Sequence, residues 1–404
     1  MIFVGVDWAE AHHDICVLGE EGQVLGKRRV AEGVSGLADL HSLVADHAEE
    51  PDEVVVGIET DRGLLVSALI GAGFDVYAIN PMAASRYRDR HHVSGAKSDP
   101  GDARMLADLV RTDRHNHRRV AGDSELAEAI KVLARAHQNA IWARQRQANA
   151  LRSALREYYP AALEAFGTEL TSADALAVLG VAPTPELGRQ LSRSKLAAAL
   201  RRAGRQRNVE SRAETIQAAL RRDQLGQPAM LSGAYGHVTS SAVRMITQFN
   251  AEITELEGAL TEHFEQHPDA KIIRSLPGLG TILGARVLAE FGDDRTRYAD
   301  GKSRRNYAGT SPITRASGKS RVVLARFTRN RRLADALDQW AFCSLTKSNG
   351  ARAYYDQLRS RDKTHRQALR QLANRWVGIL HGCLEYETLY DEAIAWKAAE
   401  SAAA

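Results

Sequence analysis

The sequence contains little cysteine, and its three cysteines lie far apart, at Cys16, Cys343 and Cys383. This spacing suits neither a disulfide framework nor a zinc site, and it is typical of a reducing cytoplasm. The chain also lacks a run of about 18 apolar residues, which a membrane-spanning helix would need. The first residues, MIFVGVDWAE, lack a basic segment followed by an apolar core, so no signal peptide is predicted. We therefore expect a cytoplasmic protein with no membrane partner.

The two signs of charge are unevenly distributed along the chain. Residues 1–115 contain 11 Lys and Arg against 20 Asp and Glu, whereas the remainder contains 43 against 30. The basic part could neutralise phosphates, and the acidic part could hold cations. A basic surface that is merely solvated is the alternative. A length of 404 residues predicts two or three domains.

Strand and helix patterns alternate through the first part of the chain. The predicted strands cover residues 2–7, 12–18, 23–30, 53–59 and 74–80. The predicted helices cover residues 35–48, 63–72 and 99–111. Three strands followed by alternating helices and strands indicate an α/β fold with a mixed sheet. We expect this domain to cover residues 1–118.

Helical patterns dominate the rest of the chain. Within residues 122–165 the stretch ELAEAIKVLARAHQNAIWARQRQANALRSALREYY has no Gly or Pro, and a second long amphipathic stretch covers 238–266. The two stretches predict an antiparallel helical or coiled-coil region at 119–268, with an insertion at about 168–235. Residues 269–404 begin with a Gly-rich motif and end in helices. We expect them to form a small, mainly α-helical domain with a helix-hairpin-helix-like motif.

Four carboxylates stand at predicted strand ends or at a helix start. Asp7 ends the first strand and Glu59 ends the EVVVGIE strand, while Asp99 and Asp102 are neighbours on one helical face. If these groups converge, they repel one another unless a divalent cation lies between them. Mg²⁺ fits best because it prefers carboxylate oxygens and keeps phosphate oxygens as further ligands, and Mn²⁺ is a possible substitute.

A purely structural role for the helical pair is the alternative. Ser98 is a good N-cap, Pro100 suits a first turn, and Asp99 and Asp102 would favour the helix dipole. Asp7 is harder to explain in this way. It follows the apolar run IFVGV, and charges near a core are rarely tolerated without a partner.

A basic segment, residues 301–332, contains ten Lys or Arg and no Asp or Glu, which favours contact with a phosphate backbone. The candidate residues are Arg304, Arg305, Arg315, Lys319, Arg321, Arg326 and Arg329. Upstream, the PGLG turn with Gly278 and Gly280 could offer backbone N–H groups to a phosphate, or it could be a tight turn alone. Ser317 precedes Gly318 within the basic segment, where it is either a nucleophile beside phosphate-binding cations or a turn serine.

The N-terminal motifs resemble a known family. GVDWAEAHHDICVL, IETDRGLLVSALIGAGFDVYAINP and AKSDPGDARMLADLVR are similar to the N-terminal domain of the bridge-RNA-guided insertion-sequence transposases. These are DEDD transposases with a RuvC-like domain of ribonuclease H type. The resemblance places their four carboxylates on Asp7, Glu59, Asp99 and Asp102. Many relatives have a Lys shortly after the first Asp, where this chain has WAEAHH.

The C-terminal motifs resemble the transposase domain of the same family. LPGLGTILGA, residues 276–285, precedes the segment from Tyr307 to Ser320, which matches a Y-A-G-x-x-P-x-x-x-x-S-G-K-S pattern. The resemblance implies that the nucleophile is Ser317, with Ser311 and Ser320 as weaker candidates. The two resemblances cover about half the chain, in the family's order.

The family implies a site-specific DNA recombinase of a bacterial insertion sequence. It would cut and rejoin donor and target DNA through a phosphoserine with Mg²⁺, guided by a noncoding RNA. It would act near the nucleoid as a homo-oligomer, a dimer or tetramer, whose sites combine one subunit's carboxylates with another's serine. Two rival functions stay open. One is a metal-dependent nuclease or Holliday-junction resolvase in which water attacks, and the other is a non-catalytic RNA- or DNA-binding scaffold.

Overall fold

The computed structural model describes residues 1–91, 98–120, 122–318, 320–326 and 329–400. The chain forms two compact units, Met1–Asp123 and Ser124–Ala404. The first unit contains a six-stranded sheet, and the second is mostly helical. The predicted order, a mixed α/β fold followed by mainly helical structure, is confirmed. Among the described helices, none combines the length and the apolar character that crossing a membrane requires.

The first unit contains strands and helices in alternation. Its strands are β1 (Ile2–Trp8), β2 (His12–Leu18), β3 (Val24–Ala31), β4 (Val54–Ile58), β5 (Asp75–Ala78) and β6 (Arg118–Arg119). Its α-helices are α1 (Val34–Ala45), α2 (Leu64–Gly71), α3 (Pro81–His91) and α4 (Asp99–Asp113). The sequence patterns did not predict α3, because Pro81 directly follows the predicted strand at 74–80 and proline is unfavourable inside strands. Proline also suits the first turn of a helix.

The sheet has the strand order β3-β2-β1-β4-β5-β6. Strand β1 pairs antiparallel with β2 and parallel with β4. Side chains alternate across it, so Val4 and Val6 pack with α1 and α2 on one face, while Phe3 packs with α4 on the other. Helices therefore cover both faces of the sheet, and α4 lies against the central strands.

Two glycines allow α4 to approach the sheet closely. Gly5 on β1 and Gly57 on β4 are register partners. A Cβ atom on Gly5 would lie 1.9 Å from the backbone oxygen of Ala103, and one on Gly57 would lie 2.7 Å from that of Leu106. Any larger residue at Gly5 would displace the helix backbone.

Gly5→Val is expected to destabilise the first unit by at least about 3 kcal/mol, because a branched side chain cannot fit between β1 and α4. Urea unfolding followed by hydrogen exchange of the β1 and α4 peptides measures this loss. Gly71→Ala is the matched control, since a Cβ atom at Gly71 meets nothing within 4 Å. Equal unfolding midpoints for the two variants would contradict the close approach of α4.

The second unit begins with a long helix and ends in a helical bundle. Its α-helices in the first half are α5 (Glu125–Tyr158), α6 (Pro160–Phe166), α7 (Ala173–Val181), α8 (Pro185–Gln190), α9 (Arg193–Arg202), α10 (Val209–Leu220) and α11 (Ala229–Gln266). Those in the second half are α12 (Ala270–Ser275), α13 (Thr281–Phe291), α14 (Gly301–Ala308), α15 (Arg331–Ser344), α16 (Asn349–Ser360), α17 (His365–Glu385) and α18 (Glu392–Glu400). Two strands, β7 (Ile313–Ser317) and β8 (Ser320–Leu324), form a hairpin between α14 and α15.

Helices α5 and α11 run antiparallel, as the sequence predicted. Arg144 donates a hydrogen bond to Asn250 at 2.9 Å, and His137 lies 3.2 Å from Glu257, so residue numbers rise on one helix as they fall on the other. Helix α11 begins at Ala229, earlier than predicted. Gly236 lies within this helix at a packing position, where a Cβ would lie 2.7 Å from a methyl group of Thr184.

The second unit has two separate hydrophobic cores. The predicted insertion folds into α7–α10, which pack with α6 and with the adjoining ends of α5 and α11 around Tyr158 and Leu179. The other core contains the stacked indole rings of Trp340 and Trp376 and joins α12–α17 to the opposite ends of the long helices. The basic hairpin lies next to this second core in the chain.

Candidate functional site

The sheet and α4 place the predicted carboxylates at strand ends and at the start of the helix that packs on those strands. Asp7 lies near the end of β1, and Glu59 directly follows β4. Because β1 and β4 are adjacent and parallel, these two residues lie at the same edge of the sheet. Asp99 and Asp102 occupy the first turn of α4, which packs on both strands. Ser98 is the N-cap residue of this helix, but its side chain makes no capping hydrogen bond.

Burial and neighbouring negative charges both act on the Asp7 carboxyl. The pKa of the Asp7 carboxyl is raised from its ordinary value to about 6. Burial is the largest cause, followed by the negative charges of Asp102, Asp99, Glu59 and Asp14. Asp7 therefore lies within the field of all three other predicted carboxylates and of a fifth, Asp14.

Asp14 was not predicted from the sequence. It lies on β2 directly opposite Asp7, so both side chains occupy one face of the sheet, and Asp14 is only 5% exposed. The alternation in HHDICVL was an available signal, because it places His12 and Asp14 on one face of the strand. The pairing with Asp7 depends on the register of β1 and β2, which the sequence alone does not specify.

Two arginines partly neutralise the cluster. Arg29, which is opposite Asp14 on β3, donates from Nη2 to Asp14 at 2.7 Å and to Asp99 at 3.4 Å. Arg88 on α3 forms an ion pair with Asp102 at 2.8 Å. Asp102 is 6% exposed, and a buried carboxylate of this kind requires a partner. Sequence reasoning missed both cations.

The cluster offers ligands that suit a divalent metal. Side-chain atoms of His12, Asp14 and Asp99 lie within 4.8 Å of one another, close enough to share one ion. Of the four predicted ligands, all of which lie in the described part of the chain, Asp99 alone belongs to this group. The surrounding groups are carboxylates, whose oxygen atoms are the ligands that Mg²⁺ and Mn²⁺ accept. Repulsion among five carboxylates also favours an added cation.

Ser317 lies at the turn of the β7–β8 hairpin. It is the register partner of Ser320, and every residue described from Thr314 to Leu324 is exposed. Gly318 has a φ of +53°, a left-handed conformation that suits glycine in a tight turn. Cross-strand partners share a face of the hairpin, so the hydroxyls of Ser317 and Ser320 stand side by side. Ser311 precedes the hairpin and is half-buried.

The predicted phosphate-binding cations differ in exposure. Arg315 and Arg321 are exposed on the hairpin, and Arg326 and Arg329 are half-buried where β8 ends. Lys319 lies outside the described residues.

The predicted phosphate contact of Arg304 is wrong, because this side chain is buried and cannot meet a phosphate at the surface. It is only 3% exposed, and its guanidinium lies 4.7 Å from the ring centroid of Tyr298 and 5.4 Å from that of Phe291. Burial lowers its pKa to about 10. The sequence showed its charge but not these rings. The neighbouring Arg305 is half-buried against Gly378.

The Gly-rich turn joins α12 to α13. Gly278 has a φ of +88°, and a Cβ at this position would lie 2.7 Å from the backbone nitrogen of Ser344. It therefore serves a tight turn packed against the end of α15. Gly280 is exposed and is the N-cap residue of α13, where backbone N–H groups are free to meet an anion.

Two family models match the chain. A model for DEDD transposases of IS110 type, described as a transposase, matches residues 4–160. A second model, described as the transposase IS116/IS110/IS902 family, matches residues 270–356. The first match contains all four predicted carboxylates and the second contains Ser317.

Several curated relatives are similar along almost their whole length. A protein from Streptomyces coelicolor, described as a transposase for the mini-circle element IS117, is 46% identical, with 97% of this chain and 95% of the relative covered. The 43.6 kDa protein of insertion element IS110 from the same organism is 30% identical, with 96% and 95% covered. A 42 kDa protein of IS900 from Mycobacterium paratuberculosis is 29% identical, with 98% and 99% covered. The chain therefore belongs to the IS110 family of insertion-sequence transposases, as the sequence motifs indicated.

Proposed function

We propose that this transposase cuts and rejoins DNA strands through a covalent phosphoserine at Ser317, with the help of Mg²⁺ held by its first unit. Membership of the family already indicates an enzyme that recombines DNA. The observation that carries the proposed chemistry is the β7–β8 hairpin. It presents Ser317 at an exposed turn, and Arg315 and Arg321 on its strands can bind the phosphates of an approaching strand.

The serine would carry out a transesterification. The Oγ atom of Ser317 attacks a DNA phosphorus and loses its proton, while the bond from phosphorus to the 3′-oxygen breaks and that oxygen gains a proton. A 5′-phosphoserine ester and a free 3′-hydroxyl result. Attack by the 3′-hydroxyl of another strand reverses these steps and releases the serine. One phosphoester bond replaces another, so rejoining needs no nucleotide hydrolysis.

The carboxylate cluster would hold the metal ion. Divalent metal use follows from the DEDD family, and Asp7, Glu59, Asp99 and Asp102 are the proposed ligands for Mg²⁺, with Mn²⁺ as a substitute. When bound, such an ion polarises the scissile phosphate and stabilises its developing charge. The fit rests on charge, since five carboxylates face two arginines and Asp7 resists ionisation without a further cation. Arg29 and Arg88 would hold the acidic side chains in place before the metal binds.

Arg29→Gln is expected to tighten Mg²⁺ binding by about 5- to 10-fold, because Asp14 and Asp99 no longer share their charge with a guanidinium. Isothermal titration calorimetry measures the change. Arg28→Gln is the matched control. Arg28 precedes Arg29 on β3, and it donates a hydrogen bond to the backbone oxygen of Asp39. Unchanged affinity in Arg29→Gln, or an equal gain in the control, would contradict competition between Arg29 and the metal.

The partners belong to the same proposal. The family indicates a DNA substrate, and we propose in addition a noncoding guide RNA and a homo-oligomer, either a dimer or a tetramer. The exposed cations of the hairpin are suited to either nucleic acid. Sequencing the RNA that co-purifies with the protein tests the guide, which should match the ends of the element. Purification of an active protein that contains no RNA would contradict the proposed guide RNA.

The decisive test of the chemistry is the fate of the cut 5′-phosphate. A phosphoserine intermediate predicts DNA covalently attached to the wild-type protein. A metal-dependent nuclease or Holliday-junction resolvase predicts a free 5′- or 3′-phosphate formed by water. A non-catalytic scaffold predicts intact DNA and no effect of Asp102→Asn on any activity.

A further inference from the structure

A basic cavity lies at the base of the serine hairpin. It has a volume of about 240 Å³ and is reached by Thr310, just before β7, and by Arg329, shortly after β8. Helices α15 and α17 form its other walls. We name it the arginine pocket after the four arginines that line it, Arg329, Arg331, Arg366 and Arg370.

The pocket is lined by residues of two helices and of the segments that flank the hairpin; Arg331 and Arg366 are exposed, and Arg329 and Arg370 are half-buried. Arg366 and Arg370 lie one turn apart on the same face of α17, and Arg331 is the first residue of α15. Thr310 donates a hydrogen bond to Asn374 on α17 at 3.0 Å, which ties the start of the hairpin to this helix. The pocket is thus connected to the start of the hairpin through Thr310.

Gly309 fixes the position of Arg329. This glycine ends α14 with a φ of +69°, and a Cβ atom here would lie 2.4 Å from the Cβ of Arg329. The aliphatic part of the Arg329 side chain therefore packs against the backbone of Gly309. Burial lowers the pKa of Arg329, and the nearby charge of Arg370 lowers it further, while Asp338 opposes the shift. An anion in the pocket would relieve both unfavourable effects.

The cations of the pocket outnumber the available carboxylates. Two carboxylates line it, Asp335 and Asp338, and Asp335 already accepts hydrogen bonds from Arg286 and Gln138. Across the described residues, none of the four guanidinium groups donates a hydrogen bond or forms an ion pair with the protein. A guanidinium matches the paired oxygens of a phosphate, so an anion of this shape would satisfy the pocket.

We propose that the arginine pocket binds a phosphodiester of the DNA strand that Ser317 attacks. This inference rests on the proposed function of Ser317. Ser317 follows Thr310 by seven positions, which at about 3.3 Å per residue spans at most ~23 Å. DNA places one phosphate per strand every ~3.4 Å along its axis, so the bound phosphate lies within about seven nucleotides of the cleavage point. The pocket would fix the register of the strand on the hairpin.

Binding measurements test the pocket in a protein that cannot cut. Ser317→Ala is combined with Arg366→Gln and Arg370→Gln, and the probe is a duplex that carries one end of the element and its flanking DNA. We expect affinity to fall about 10-fold or more and the salt dependence of binding to decrease by roughly one phosphate contact. The control pair, Arg202→Gln and Arg244→Gln, removes the same charge from exposed positions on α9 and α11 and should change affinity less than about 2-fold.

Ethylation interference then locates the phosphate. In the Ser317→Ala protein, ethylation of one phosphate within about seven nucleotides of the cleavage point should weaken binding, and this interference should disappear in the pocket variant. Interference that is unchanged in the pocket variant overturns the proposal. Loss of interference at a phosphate of the co-purifying RNA instead assigns the pocket to RNA and overturns the DNA assignment. These readouts need no cleavage, so they are separate from the test of the Ser317 nucleophile.

Discussion

Ser317→Ala is expected to reduce strand cleavage and rejoining by a factor of ~10³ or more and to remove any covalent protein–DNA product. Alanine cannot form the ester bond, and the exposed hairpin loses no packing when the hydroxyl is removed. Binding to DNA should be unchanged. A gel assay on a labelled duplex with the element's end separates cut, rejoined and protein-linked DNA.

Ser320→Ala is the matched control. Ser320 is the register partner of Ser317, carries the same hydroxyl and is also exposed. We expect this variant to stay within about 3-fold of the wild-type rate, since it removes one exposed hydrogen-bonding group. Normal cleavage by Ser317→Ala would show that its hydroxyl is not the nucleophile. Loss of the covalent protein–DNA product only in Ser320→Ala would assign the nucleophile to Ser320 instead of Ser317.

Asp7→Asn is expected to reduce DNA cleavage by a factor of ~10³ or more, because it removes a central carboxylate from the proposed metal site. The same variant should be more stable than wild type at pH 7.5 in the absence of metal. Burial and, after it, the neighbouring negative charges make an ionised Asp7 unfavourable, and asparagine carries no charge. Thermal unfolding in EDTA and cleavage rates in Mg²⁺ measure the two effects.

The pH dependence of stability follows from the raised pKa of Asp7. Since its pKa is about 6 in the folded protein and 3.8 in the ordinary state, the folded protein binds the proton more tightly. The resulting stability is present below pH ~4 and is lost as the pH rises towards ~6. Metal-free wild type should therefore lose stability across this window, and Asp7→Asn should lose less.

Asp39→Asn, on the exposed face of α1, serves as the control for charge removal. It should keep both the wild-type cleavage rate and the wild-type pH dependence, because Asp39 is not among the charges that act on Asp7. Destabilisation of the metal-free protein by Asp7→Asn would contradict the crowding of carboxylates at this edge of the sheet.

Local patterns made much of the first unit predictable. The apolar runs of β1 and β4 are buried on both faces of the sheet, so they stand out in the sequence and place Asp7 and Glu59 at one edge. The start of α4 is marked by Ser98, Pro100 and its acidic first turn. These features depend on neighbours in the chain, which a single sequence displays.

The remaining parts of the site depend on contacts between distant segments. Asp14 joins Asp7 only through the register of β1 and β2, and Arg29 joins Asp14 through that of β2 and β3. Arg88 was missed because α3 itself was missed. Arg304 shows the opposite failure, since its charge suggested a surface role and only the fold reveals the rings that bury it. The hairpin was visible in the sequence as a basic segment but not as two strands.

The most direct measurement is peptide mapping of the protein after reaction with a nicked duplex that traps the first covalent step. Mass spectrometry of the digested product should find a 5′-phosphorylated nucleotide on the peptide that contains Ser317, and none on peptides with Ser311 alone. The contradictory result is cut DNA with no modified peptide and with oxygen from labelled water in its terminal phosphate. That result would mean that water is the nucleophile and that Ser317 has a structural role in the hairpin.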